Sequence, residues 1–144
     1  MNMDSLFYKN IPVKKKPWWM NLLLFKTARG AAFLGEIYLR EDLFEKYQSG
    51  NPDAETLSIL EHEKTHVERG RGGWIGRYLW YYVFPSVRFR EELAAIESEM
   101  RVLKQHGQSF DIERRARNLS KVHYLWSASY EKAHRALSEM WQRV

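Results

Sequence analysis

The sequence predicts a mainly α domain of the α+β class, and three observations predict it. Apolar residues recur at spacings of three and four along "SVRFREELAAIESEMRVLKQHG" (86–107), and "NPDAETLSILEHEKTHVERG" (51–70) carries helix start and stop signals at its two ends. A third helical pattern runs from Asp111 to Trp141. Clear strand-like alternation occurs only in "GAAFLGEIYLRED" (30–42), so one or two strands are expected. With 144 residues, 44% of them hydrophobic and 28% charged, the chain suits a single domain around one core.

Each element has a local reason. Pro12 and Pro17 predict an extended arm up to residue 17, and "WWMNLLLF" after it a short apolar helix. Residues 1–29 therefore read as an N-terminal arm and a short apolar segment. Ile37 and Leu39 alternate with Glu36, Tyr38 and Arg40, as in a half-buried strand, and Gly35 is tolerated at a strand edge or bulge. "LFEKYQSG" follows as a short helical turn or loop. In the 51–70 helix Asn51 suits the N-cap, Pro52 the first helical position, Asp53 and Glu55 the first turn, and Gly70 the stop. "RGRGGW" (69–74) is a loop whose glycines lack any phosphate-binding pattern. "WIGRYLWYYVF" reads as an apolar helix or bent segment ended by Pro85. Phe89, Leu93, Ile96, Met100 and Leu103 form the stripe of the next helix, which Gly107 closes. The last pattern carries Ile112, Leu119, Val122, Leu125, Trp126, Tyr130, Ala133 and Leu137, with a break expected near Ser127.

Composition removes several function classes. There are no cysteines, so a disulfide scaffold and a thiolate metal site are both excluded. A metal would need His, Asp or Glu. The net charge of +5 permits an anionic partner without demanding one. No signal-peptide pattern opens the chain, and its longest apolar runs fall far short of the roughly 20 residues of a membrane span. A soluble, cytoplasmic protein is the expectation.

The chemistry concentrates in "LEHEKTHVERG" (60–70). On a helix His62 and His66 stack on one face, where two imidazoles can hold one metal ion. Glu63 lies about 100° round from His62, within reach of a water activated by that metal. This is the physical content of HExxH: two zinc ligands and a general base. A shuffled chain of this composition holds the motif about one or two times in a hundred. Spacing alone therefore does not decide between a zinc site and two surface histidines, and a third protein ligand is needed.

The 86–107 helix offers that ligand. Glu92 lies about 60° from the centre of its apolar stripe and Glu91 about 160°, so Glu91 should face solvent and Glu92 should flank the buried face. Glu92 is the preferred third ligand and Glu91 the alternative. Glu97 or Glu99 could support a histidine from behind. His123, Tyr124, Tyr130 and His134 are all candidates to stabilise an oxyanion, and sequence does not choose among them.

Residues 30 to 100 resemble the small HExxH metallopeptidases of the gluzincin type, the compact zincin-like form found in bacterial and phage proteins. "GEIYLRE", "LSILEHEKTHVERG" and "REELAAIESE", with its Glu-x-x-Ala pattern, carry the resemblance in order. The resemblance implies a zincin-like fold and a zinc-dependent metallopeptidase, with Zn2+ on His62, His66 and a glutamate and Glu63 as base. It also implies that residues 35–40 form an edge strand pairing with an extended peptide or protein substrate. Lys64 and Glu68 depart from the family pattern, which usually has an uncharged and a hydrophobic residue there. A cation near zinc would weaken binding.

Two other classes compete. One is a zincin-like binding or assembly module without turnover. The other is a basic protein that meets nucleic acid or a membrane surface through Arg114, Arg115, Arg117 and Lys121, or through Lys14 to Lys16 beside Trp18 and Trp19. Interleaved Asp111, Glu113 and Glu131 favour an ordinary solvated face for the first run, and one short apolar stretch binds lipid weakly.

Overall fold

A computed structural model describes residues 6–22, 28–70, 81, 83–121 and 127–144. Four strands come first: β1 (Leu6–Tyr8), β2 (Ile11–Lys15), β3 (Gly30–Phe33) and β4 (Glu36–Leu39). A 3-10 turn, Trp18–Leu22, sits between β2 and β3. Five helices are delimited among the described residues: α1 (Glu41–Gln48), α2 (Ala54–Gly70), α3 (Pro85–Gln105), α4 (Ile112–Leu119) and α5 (Tyr130–Arg143). The chain is therefore mainly helical and α+β.

The sheet is larger than sequence periodicity indicated. Its order is β1-β2-β4-β3, with β2 parallel to β4 and the other pairs antiparallel. The expected arm up to residue 17 is instead strand β2, bonded on both sides. Pro12 has no N–H to give, and parallel pairing to β4 begins only at Val13, opposite Ile37. Ile11 and Val13 are buried, as are Ile37 and Leu39 on β4. Two-residue turns close both hairpins. Lys9 and Asn10 have φ of 47° and 69°, and Leu34 and Gly35 have 49° and 79°, the left-handed pair that matches the twist of the strands.

Helix α2 begins at Ala54, later than the Asn51 cap the sequence indicated. Asp53 caps it by accepting from the Thr56 amide at 2.8 Å and the Thr56 hydroxyl at 2.6 Å. Pro85 opens α3, and Gly107, at φ 66°, follows its end. The single long C-terminal pattern resolves into α4 and α5. Residues 122–126, and with them Val122, Leu125 and Trp126, lie outside the described residues, as do 71–80 of the glycine-rich and apolar segments.

Among the described residues the buried apolar side chains form two clusters. Ile11, Val13, Ile37, Leu39, Leu43, Ile59, Leu60 and Val67 join the sheet to α1 and one face of α2. Phe89, Ile96, Met100, Ala116, Leu119, Ala133, Leu137 and Met140 join the far side of α3 to α4 and α5. Between them the facing sides of α2 and α3 are polar. His62, Glu63, Glu91, Glu92 and Glu99 are all buried there. Burying that much charge costs several kcal/mol per ion unless each is paired. This seam is where the molecule departs from simple core formation.

Candidate metal centre

Helices α2 and α3 run antiparallel across the seam, with Thr65 bonded to Ser98 at 2.8 Å near its middle. On α3 the facing row is Glu92, Ala95 and Glu99, spaced three and four apart. Ala95 is fully buried, and its small side chain lets α2 approach between the two carboxylates.

His62 and His66 meet with their Nε2 atoms 3.2 Å apart. Glu92 lies against both, Oε2 at 3.7 Å from His62 Nε2 and Oε1 at 3.4 Å from His66 Nε2. One ligand atom from each residue fits within a 4.8 Å cluster, the only such group of three among the described residues. A tetrahedral ion with ligands at about 2.0–2.1 Å separates them by about 3.3 Å. The Nε2–Nε2 spacing of 3.2 Å lies close to that value, and Glu92 Oε2, 3.7 Å from His62 Nε2, stands slightly outside it. Glu92 Oε2 is buried without a hydrogen-bond partner, the one such side-chain atom among the described residues. An orphaned buried carboxylate oxygen is destabilising by about 1–3 kcal/mol or more. Two imidazoles and this oxygen form a donor set that suits zinc, and the residues fit the ion.

The other contacts fix these groups. Tyr81 donates its hydroxyl to Glu92 Oε1 at 2.5 Å, which leaves Oε2 as the free ligand atom. The Tyr81 ring stands edge-on to His66, with centroids 6.4 Å apart, and Arg88 donates to the Tyr81 carbonyl at 2.9 Å. Behind His62, Glu99 Oε2 accepts from Nδ1 at 3.1 Å, which sets the tautomer that turns Nε2 toward Glu92. Arg115 of α4 donates to the same Glu99 oxygen at 2.6 Å. Of the two supporting glutamates the sequence offered, geometry selects Glu99. Glu97 pairs with Arg101 and Arg143 at the surface.

Electrostatics follow from the layout. Burial pushes the Glu92 carboxyl up, but the charges of His66 and His62, with the Tyr81 hydroxyl, outweigh it and hold it at about 2. Burial likewise pushes Glu99 up, and Arg115 and His62 more than reverse it. Burial lowers His66, yet Glu92, Glu63 and Glu91 overcome this and raise it to about 9. Glu63 goes the other way. Its burial raises it above the usual carboxylate range despite the pull of both histidines. Two carboxylates of this pair of helices differ in environment, one kept ionised and one made basic.

Glu91 is not the solvent-facing residue the helical wheel indicated. It is buried, and Arg69 at the end of α2 donates to it at 2.6 and 3.0 Å. Lys64 pairs with Glu68 at 3.1 Å and Glu61 at 3.5 Å, both on its own helix. Residues 35–40 are not an edge. Strand β4 is bonded on both sides, and the edge beside α2 is β3. Of the oxyanion candidates, His123 and Tyr124 lie outside the described residues. Tyr130 packs on the second core with the His134 ring 5.6 Å away. Neither contacts the histidines or Glu92 among the described residues. Tyr81 and Arg115 are the site residues that sequence reasoning missed. Tyr81 sits in a run read only as apolar, although its hydroxyl was a signal that a buried partner was needed.

No protein-family model, no curated protein and no solved structure matches this chain.

Proposed function

We propose that this protein is a zinc-dependent metallopeptidase. The observation that carries the reading is the orphaned Glu92 Oε2 beside two Nε2 atoms 3.2 Å apart. His62, His66 and Glu92 would hold the ion. Zinc there supplies a Lewis acid that lowers the pKa of water toward 7 and polarises a carbonyl. Glu63 is the group that accepts the proton, and its raised affinity for protons suits a base working near neutrality. Glu99 keeps His62 turned toward the ion, and Tyr81 keeps Glu92 presenting one oxygen.

The substrate class proposed is an extended peptide. Strand β3 is an edge among the described residues and lies against α2, so its free side offers backbone groups to a strand laid beside Glu63. The basic runs give little support to a nucleic-acid partner. Lys14 pairs with Glu36, Lys15 with Glu41, Arg114 with Asp111, Arg117 with Glu113 and Arg115 with Glu99. No helix among the described residues is long and apolar enough to cross a membrane.

The test is hydrolysis of casein by zinc-loaded protein beside Glu63→Gln. Loss of a general base lowers turnover on the order of 100- to 10,000-fold. A variant as active as the wild type contradicts the assignment of Glu63. A wild type that binds zinc but cleaves nothing returns the zincin-like binding module as the better reading.

A further inference from the structure

Glu63 is buried, yet no hydrogen bond holds its carboxylate among the described residues. Packing must set its position. Its side chain fills the space in which a side chain of Gly30, the first residue of edge strand β3, would lie. A Cβ built on Gly30 would lie 2.9 Å from Glu63 Cγ, 3.0 Å from Glu63 Oε1 and 2.9 Å from Ile59 Cγ2. Carbon atoms in contact prefer about 3.5–4.0 Å, so no other residue fits without displacing a neighbour. Gly30 does not have the positive φ of Gly35, Gly50 or Gly107. Glycine is used here for close approach and not for backbone freedom.

We propose that Gly30 is a positioning residue for Glu63, the absent side chain forming the slot in the edge strand that aims the carboxylate at the histidine pair. This rests on Glu63 being the base. Of the two side chains an added methyl would meet, Ile59 is the stiffer. It is β-branched on a helix and anchored in the sheet core. The displacement therefore falls on Glu63. The same glycine puts the substrate-pairing edge in direct contact with the base, so the slot ties where a peptide lies to where its proton goes.

Gly30→Ala tests this in the full-length, zinc-loaded protein, with a quenched-fluorescence peptide taken from a casein sequence the wild type cleaves. Zinc content should stay at the wild-type level, because the atoms nearest an added methyl belong to Glu63 and Ile59 and not to a proposed ligand. The kcat should fall on the order of 100-fold, as for a reacting group misplaced by about 1 Å. KM should change by no more than about threefold. Adding Ile59→Ala, which opens the other side of the slot, should restore much of the lost kcat. Melting of the metal-free protein supplies a readout independent of turnover. Gly30→Ala should lower Tm by several degrees in the wild-type background and by clearly less in Glu63→Ala. Equal drops in the two backgrounds, an unchanged kcat, or loss of zinc from Gly30→Ala would each overturn the proposal. A zinc-loaded wild type that cleaves nothing retires the peptidase reading, while the melting comparison still decides whether Gly30 and Glu63 are coupled.

Discussion

The two oxygens of Glu92 have different surroundings, and that difference organises the site. Oε1 takes the Tyr81 hydroxyl and lies 3.4 Å from His66, whereas Oε2 has no hydrogen bond. His66 is raised above its usual 6.5 to about 9 in the metal-free protein. A folded value above the unfolded one means that its pairing with Glu92 stabilises the fold below about 6.5. That contribution is lost as pH rises through about 9. A zinc ion held by His66, as proposed, would have to displace the same proton. Zinc affinity should therefore rise about tenfold per pH unit across that window, measured by competition with a chromophoric chelator. A pH-independent affinity would show that His66 is not a ligand. Glu99→Gln and Arg115→Ala should each weaken zinc binding about 10- to 100-fold by loosening His62, while Glu97→Gln leaves it unchanged. His62, Glu63 and His66 were legible because HExxH is a local pattern. Arg115 was not, because its partner Glu99 lies on another helix and its neighbours Arg114 and Arg117 do face solvent.

At the scale of elements, caps and turns carry the predictions. Asp53→Ala removes the acceptor for Thr56 at the start of α2 and should cost about 1 kcal/mol in urea unfolding. An unchanged midpoint would mean that water or Asn51 takes over the cap. Leu34 is 73% exposed at the tip of the β3–β4 hairpin with φ at 49°. A bulky residue is strained in that region, where Asn is tolerated. Leu34→Asn should raise stability by roughly 0.5–1 kcal/mol. Helix α3 was readable because a 3.6-residue period repeats over many turns, and α2 because start and stop signals bound it. Strand β2 was obscured although Ile11 and Val13 alternate correctly, because Pro12 marks a break locally and the pairing with β4 that overrides it is distant in sequence.

At the scale of the molecule, the described residues form two apolar clusters with a charged seam between them, and a metal bound there should act on the seam. Removing zinc with a chelator should lower Tm, since a ligand bound only to the folded state stabilises it by mass action. Helical content by far-UV circular dichroism should persist, because among the described residues neither apolar cluster includes a proposed ligand. Collapse of the helical signal on chelation would make the site essential to folding instead. Among the described residues the buried apolar side chains fall into two clusters, one on each side of the α2–α3 seam. Each of α2 and α3 has an apolar face that packs away from the other helix, leaving their polar faces to meet.

The most direct measurement is metal content by elemental mass spectrometry on untagged wild type, Glu92→Gln and Glu91→Gln. One zinc per chain is expected in the wild type and in Glu91→Gln, whose parent carboxylate is engaged with Arg69, with loss in Glu92→Gln. A wild type that takes up no zinc when supplied with it, or loss in Glu91→Gln with retention in Glu92→Gln, would contradict the His62–His66–Glu92 centre.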